Sequence, residues 1–380
     1  STDNAAVGVS ATPATVTIAD NETATAALSV TTQGNEAGPV DIVYTVTLSQ
    51  VNNTGSAITF DIGTSGGTAT SGSDYTAIPA GTKISVATGA STGTYTLPVT
   101  NDLLLEATET VTATITNSSN AAVSITTPNA TANIIDNETA TAALSVTTQG
   151  NEAGPVDIVY TVTLSQVNNT GSAITFDIGT TGGTATSGSD YTAIPAGTKI
   201  SVAAGASTGT YTLPVLDDVL VESTETVTAT ITNSSNAAVS ITTASATANI
   251  IDNETATASL SVTTQGNEAG PVDIVYTVTL SAVNNTGSAV TFDISTIGGT
   301  ATSGSDYTAI PAGTKISVAA GASTGTYTLP VTNDLLLEAT ETVTAQISNP
   351  SSAVYTIGTG TATANIIDNE VATVTITATD

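Results

Sequence analysis

The side chains able to do chemistry in this 380-residue chain are almost all carboxylates. There are 32 acidic residues against three lysines, Lys83, Lys199 and Lys315, and there is no Arg, His, Cys, Met or Trp. Without imidazole or thiolate there is no zinc site and no His- or Cys-based nucleophile. Paired carboxylates can hydrolyse glycosides. That chemistry needs a sugar cleft, usually lined by aromatics, and 10 Tyr and three Phe across the chain supply few of them. The sequence therefore reads as non-enzymatic. What remains for the carboxylates is the binding of a hard cation. Calcium takes six to eight oxygen ligands from irregular loops, whereas magnesium is seldom held in an all-protein cage.

The acids recur with a fixed period. Asp-Asn-Glu stands at Asp20–Glu22, Asp136–Glu138, Asp252–Glu254 and Asp368–Glu370, each 116 residues after the last. The stretch from Thr23 to Thr64 returns unchanged at Thr139 to Thr180. The chain thus holds three repeats, 23–138, 139–254 and 255–370. Residues 1–22 match the end of a repeat and are expected to be the last strand of a preceding one. Residues 371–380 match the start of a repeat and are expected to be the first strand of a following one. Neither end reads as a cap, so the array is expected to continue in both directions. A period of this size suits one sandwich domain, while a solenoid repeats over far fewer residues.

Within the first repeat, alternation of Val, Ile, Leu, Tyr and Phe with Thr and Ser predicts seven strands, each with one buried face. They lie near 24–32, 40–50, 56–69, 82–87, 93–100, 108–116 and 130–135. Pro98 lacks a ladder donor, which places the fifth strand at a sheet edge. The expected fold is all-β, a tandem array of seven-stranded antiparallel immunoglobulin-like sandwiches.

These strands decide where the nine acids of the first repeat go. Asp41 and Asp61 have the parity opposite to the core and read as surface charges. Glu36 lies between strands one and two, and Asp74 between three and four. Asp102, Glu106 and Glu109 lie between five and six, and Asp136 and Glu138 follow strand seven. If successive strands run up and down, all seven reach one pole. Glu109 and Asp136 share the parity of the buried residues and point toward the rim of the core. Ionised groups crowded there are costly unless compensated, and Lys83 has outward parity. A divalent cation is the compensation that four converging segments favour over a solvated acidic cluster.

At this point the residues resemble the Calx-beta family. The motifs are Asn35-Glu36-Ala37-Gly38, then Gly67-Thr68-Ala69 with Gly72-Ser73-Asp74-Tyr75, and Gly81-Thr82. Asn101-Asp102 with Glu106 and Glu109, and Ile134-Ile135-Asp136-Asn137-Glu138, complete the set. The resemblance implies calcium at the pole where strand seven exits. The ligand candidates it implies are Glu36, Asp74, Asp102, Glu106, Glu109 and Asp136 in the first repeat. In the second they are Glu152, Asp190, Asp217, Asp218, Glu222, Glu225 and Asp252. In the third they are Glu268, Asp306, Asp334, Glu338, Glu341 and Asp368. Asn101 and Asn333 stand where the family often has a second Asp, and only the second repeat carries the pair, Asp217-Asp218. The closing motif has Asn137 in place of Asp. Fewer charges imply weaker binding or fewer ions. Long arrays of such domains occur in large bacterial or archaeal surface proteins, which the tandem organisation fits.

A net charge of −29 disfavours nucleic acid and anionic lipid as partners, and no segment reads as a membrane span. The expected partners are neighbouring repeats of the same chain and like chains in a fibre. The expected location is extracellular or on the cell surface. Strand seven runs into the next repeat without a flexible linker, so the acidic pole is expected at the joint. The functional reading is a calcium-stiffened stalk, matrix fibre or surface filament. The alternative is an adhesin array that binds a surface ligand or glycan through its repeats or a distant tip, and the divergent stretch 346–360 is the place where one repeat differs most.

Overall fold

A computed structural model describes residue 13, residues 15–18 and residues 21–377. Contacts divide the chain into two compact units, residues 1–140 with 166–173, and residues 141–165 with 174–380. The first unit holds the first repeat and the hairpin tip 166–173. The second holds the rest of the second repeat and the third. No helix among the described residues is long and apolar enough to cross a membrane.

The first repeat is a sandwich of two sheets. One carries β1 (Ala24–Thr32), β3 (Ile42–Leu48), β6 (Thr92–Leu97) and β8 (Val123–Thr127), in the order β6-β3-β1-β8. The other carries β2 (Gly34–Asn35), β4 (Ile58–Gly67), β5 (Lys83–Val86), β7 (Glu109–Thr116) and β9 (Asn129–Ile135), in the order β2-β9-β7-β4-β5. Alternation produces the core directly. Ile42, Tyr44, Val46 and Leu48 face Phe60, Ile62, Ile84, Val111, Ala113 and Ile115 across the sandwich, and all ten are buried. The Tyr44 hydroxyl crosses between the sheets and donates to the Val111 carbonyl at 2.7 Å.

Seven passes of the chain build this sandwich, and two of them change sheet. A single residue separates β1 from β2, and another, Pro128, separates β8 from β9. One residue cannot reverse a strand, so each pair is one pass that begins in one sheet and ends in the other. The first and seventh passes run the same way, and the pairings β1–β8 and β2–β9 are parallel. The expectation of wholly antiparallel sheets is corrected here. An odd number of passes leaves the first and last co-directional, and these two lie side by side. β6 is an edge strand ending just before Pro98, as its missing donor requires.

The second unit repeats this architecture twice. Its four-stranded sheets are β15-β12-β10-β17 and β24-β21-β19-β26, and its five-stranded sheets are β11-β18-β16-β13-β14 and β20-β27-β25-β22-β23. In the second repeat β10 to β18 are Ala140–Thr148, Gly150–Asn151, Ile158–Leu164, Ile174–Gly183, Lys199–Val202, Thr208–Leu213, Glu225–Thr232, Val239–Thr243 and Ser245–Ile251. In the third, β19 to β27 are Ala256–Thr264, Gly266–Asn267, Ile274–Leu280, Val290–Gly299, Lys315–Val318, Thr324–Leu329, Glu341–Ser348, Tyr355–Thr359 and Thr361–Ile367.

Residues 371–377 form no strand, and Val371, Val374 and Ile376 are exposed. The strand expected over 371–380 is therefore absent from its described part, because an amphipathic segment pairs only where the rest of its sandwich is present. Of the strand expected within 1–22, most falls outside the described residues. Residues 15–18 have no regular structure.

Candidate metal centre

The acids meet because the backbone brings the ends of three odd-numbered passes, and the turn after the fifth, to one place. The Glu36 N–H donates to the Ile135 carbonyl at 3.0 Å. That bond extends the parallel β2–β9 pairing by one residue and sets Glu36 beside Asp136, which follows β9. Asp74 sits in a tight turn. Its N–H donates to the Thr70 carbonyl at 3.0 Å, and its carboxylate accepts from the Thr70 N–H. Gly67, at a φ of 121°, carries the chain from β4 toward this turn; a Cβ there would lie 2.1 Å from the Thr110 carbonyl oxygen. Reciprocal bonds between Thr68 and Thr110, at 2.9 and 3.1 Å, then hold the segment against the start of β7, where Glu109 stands. Asp102 caps its own loop by accepting from the Leu104 N–H at 2.7 Å.

Two separate groups result in the first repeat. Glu36, Asp136 and Glu138 bring three carboxylate oxygens within 4.8 Å of one another, and Asp74, Asp102 and Glu106 do the same. In the second repeat Glu152 joins Asp190 and Glu222 in one group and Asp252 and Glu254 in another; in the third, Glu268, Asp368 and Glu370 converge. Glu36, Asp74, Glu152, Asp190, Glu268 and Asp306 are buried.

Like charges at this spacing cannot all be ionised without cost. Burial, then Asp136, Asp102, Glu138 and Glu106, push the Glu36 carboxyl up to about 7. Burial and the hydrogen bond with Asp74 push Glu109 to about 7, and burial and the hydrogen bond with Glu138 push Asp136 to about 7. Glu106 is raised by burial and by Asp74. In the second repeat Glu152 reaches about 8, Glu222 and Glu225 about 7 and Asp252 about 6, burial leading in each case. In the third, Glu341 reaches about 7 and Glu268 and Glu338 are raised, again chiefly by burial. There the hydrogen bond from Glu370 lowers Asp368 and raises Glu370.

The donor set fits a hard divalent cation. All donors are oxygen, and several are buried with no hydrogen-bond partner: Glu36 Oε2, Asp136 Oδ1, Glu152 Oε2, both carboxylate oxygens of Asp252, Glu268 Oε2 and Asp368 Oδ1. A buried carboxylate oxygen without a donor is costly. The three lysines offer nothing here, since each pairs with a strand aspartate elsewhere: Lys83 with Asp61, Lys199 with Asp177 and Lys315 with Asp293.

The structure departs from the sequence reading in three places. Glu138, Glu254 and Glu370 stand inside the clusters although the ligand candidates omit them; their place in the Asp-Asn-Glu marker is the available signal. Asp217, a candidate, is exposed, while Asp218 stands where Asp102 does in the first repeat. Asp41 is more than a surface charge, for its carboxylate accepts from the Val99 N–H at 3.0 Å and ties the edge β6 pass to the second pass.

The same acidic loop carries a contact between repeats. In the first unit Leu105, between Asp102 and Glu106, is fully buried against the hairpin tip 166–173, and its carbonyl accepts from the Asn169 N–H at 3.1 Å. In the second unit Val221, between Asp218 and Glu222, enters the apolar core of the third repeat. Its carbonyl accepts from the Asn285 N–H at 3.2 Å, and the Ser223 hydroxyl donates to the Thr286 carbonyl at 3.1 Å. Tyr355 of the third repeat has its phenol pushed up by burial and by the charge of Asp252 in the second.

The family model described as the Calx-beta domain matches the chain three times, over residues 20–138, 146–254 and 261–376. No curated protein matches it. Among solved structures it is similar to CBD12 from CALX1.2, at 16% identity over 60% of this chain and 100% of that one, with a TM-score of 0.27. It is also similar to the calcium binding domain CBD12 of CALX1.1, at 14% identity over 59% of this chain and 99% of that one, TM-score 0.27. The apo form of the Calx CBD1 domain matches at 18% identity over 31% of this chain and 100% of that one, TM-score 0.26.

Proposed function

This chain belongs to the Calx-beta family, and on that footing we propose that it is a non-catalytic structural array whose repeats bind calcium at their acidic poles and are stiffened by it at their joints. The observation that carries this reading is the loop 102–106. It holds two candidate ligands, Asp102 and Glu106, and between them the buried Leu105 that meets the following repeat. Asp218, Val221 and Glu222 repeat the arrangement. Bound calcium would supply positive charge to carboxylates that otherwise repel, and the loop that presents the apolar knob would then be fixed. The proposed ligands in the first repeat are Glu36, Asp136 and Glu138 for one ion and Asp74, Asp102 and Glu106 for another, with Glu109 at the rim beside Asp74.

A stalk, matrix fibre or surface filament outside the cell is the role this supports. Near-identical repeats suit length and mechanics. The divergent stretch 346–360 does not support an adhesin site of its own, since its largest side chain, Tyr355, is buried and donates to Asn284 Oδ1 at 3.0 Å. Carbohydrate chemistry gains no support either, because Tyr44, Phe60 and Tyr75 are all buried in the core. Small-angle scattering and thermal melting of the whole chain, with calcium and then with a chelator, test the reading. Calcium should raise the melting temperature and narrow the spread of dimensions. An unchanged profile and melting temperature would refute it.

A further inference from the structure

Inside the chain, the contact between repeats is a knob in a cavity, built twice. Leu105 is 0% exposed and Val221 2%. Around Val221 the cavity consists of Ala256, Leu280, Val290 and Tyr355, which form one apolar cluster with it. A backbone hydrogen bond fixes each knob in register, Asn169 N–H to Leu105 and Asn285 N–H to Val221.

Both halves of this contact are also present unmated. The equivalent knob of the third repeat, Leu337, is 60% exposed, and its neighbours Leu335 and Leu336 are exposed as well. The equivalent cavity on the first repeat is open, with a volume of about 280 Å³, and is lined by Ala24, Leu48, Asn52, Ile58 and Val123 among others. Asn52 there is held as its counterpart Asn284 is held in the filled cavity: Asn52 Nδ2 donates to the Val86 carbonyl at 2.9 Å, and Asn284 Nδ2 to that of Val318 at 3.2 Å. The receptor is therefore shaped before a knob arrives. Asn53, which matches the donors Asn169 and Asn285, is exposed.

We propose that Leu337 of one molecule docks in the first-repeat cavity of a second copy, joining chains head to tail. A knob and a cavity on different surfaces make a heterologous contact, which propagates into an open polymer rather than closing a dimer. Both faces are acidic, with Glu22 at the cavity and Asp334 and Glu338 flanking the knob. Salt that screens this repulsion strengthens the association. The contact rests on packing and not on the calcium reading, so the test holds calcium constant, and failure of one leaves the other standing.

Sedimentation velocity of the whole chain over a range of concentrations is the test. The expected result is a concentration-dependent series of oligomers. Leu337→Asp should lower the association constant roughly tenfold or more, the cost of losing one buried leucine. Leu335→Asp should leave it unchanged, because its counterparts Leu103 and Val219 stay 80% and 83% exposed beside the built joints. Both positions are exposed, so folding is not in question. The chain has no Cys, and Leu337→Cys combined with Val51→Cys should give a ladder of intermolecular disulfides on mild oxidation. A monomer at every concentration, an equal loss from Leu335→Asp, or a disulfide closing within single molecules would each overturn the proposal.

Discussion

Replacing Glu36, Glu152 and Glu268 together by Gln should act in opposite directions with and without calcium. Each is the buried glutamate that follows the first pass of its repeat, and each leaves its Oε2 without a partner. In the folded protein Glu36 holds its proton up to about pH 7, against an ordinary value of 4.5. The folded state therefore binds protons that the unfolded state has released. Below about pH 4.5 both states are protonated and there is no penalty. The penalty grows as pH rises and is complete above about 7. At about 1.36 kcal/mol for each tenfold change in proton affinity, it approaches about 3 kcal/mol in the first repeat at pH 8. Gln carries no charge and removes it. In chelator at pH 8 the triple variant should thus be more stable than the wild type by on the order of 2–3 kcal/mol in that repeat, and the gain should vanish near pH 4.5. With calcium the sign reverses. An ion present at a thousand times its dissociation constant stabilises the wild type by about 4 kcal/mol per site, and the variant forfeits most of that. Urea denaturation followed by circular dichroism at pH 8 and pH 4.5, in both media, reads all four values. A variant that is less stable in chelator at pH 8, or that keeps the full calcium gain, would refute the reasoning.

Other consequences follow from single positions. Leu105→Ala should cost about 2–4 kcal/mol in urea denaturation of the whole chain, and Leu337→Ala should stay under about 1 kcal/mol, since only the first fills a cavity; equal costs would contradict the joint described for Leu105. Gly67→Ala should destabilise the first repeat by at least about 1–3 kcal/mol and weaken its calcium binding, because a Cβ there collides with the Thr110 carbonyl at a φ of 121°; calorimetry of the variant with and without calcium checks both. Asp218→Asn should weaken calcium binding by the second repeat in a calcium titration. Asp217→Asn, at an exposed position, should leave it nearly unchanged.

Much of the site is legible in the sequence because strand parity and connection order are read directly from alternation. Glu109 follows the parity of Val111 and Ala113, and Asp136 that of Ala132 and Ile134, so parity alone places both at the rim. What alternation does not carry is a change of sheet within a pass. Residues 33 and 128 interrupt the pattern by one position, which reads as irregularity, yet each marks the point where a pass leaves one sheet for the other. Alternation therefore suggests antiparallel pairing throughout and misses the two parallel pairings. Glu138 escapes the ligand set because it lies past the strand end, where parity no longer assigns a face. The knob is invisible for a different reason. Leu103-Leu104-Leu105 is an apolar run in a loop, and only the packing shows that the third leucine, and not the first, is covered by the next repeat.

The central claim is that these converging carboxylates hold calcium. Calcium titration of the whole chain by calorimetry at pH 8 tests it most directly. Saturable binding of more than one ion for each repeat is expected, with protons released as Glu36, Glu152 and their neighbours ionise. Absence of binding at millimolar calcium, or binding that survives loss of Glu36, Glu152 and Glu268, would contradict it.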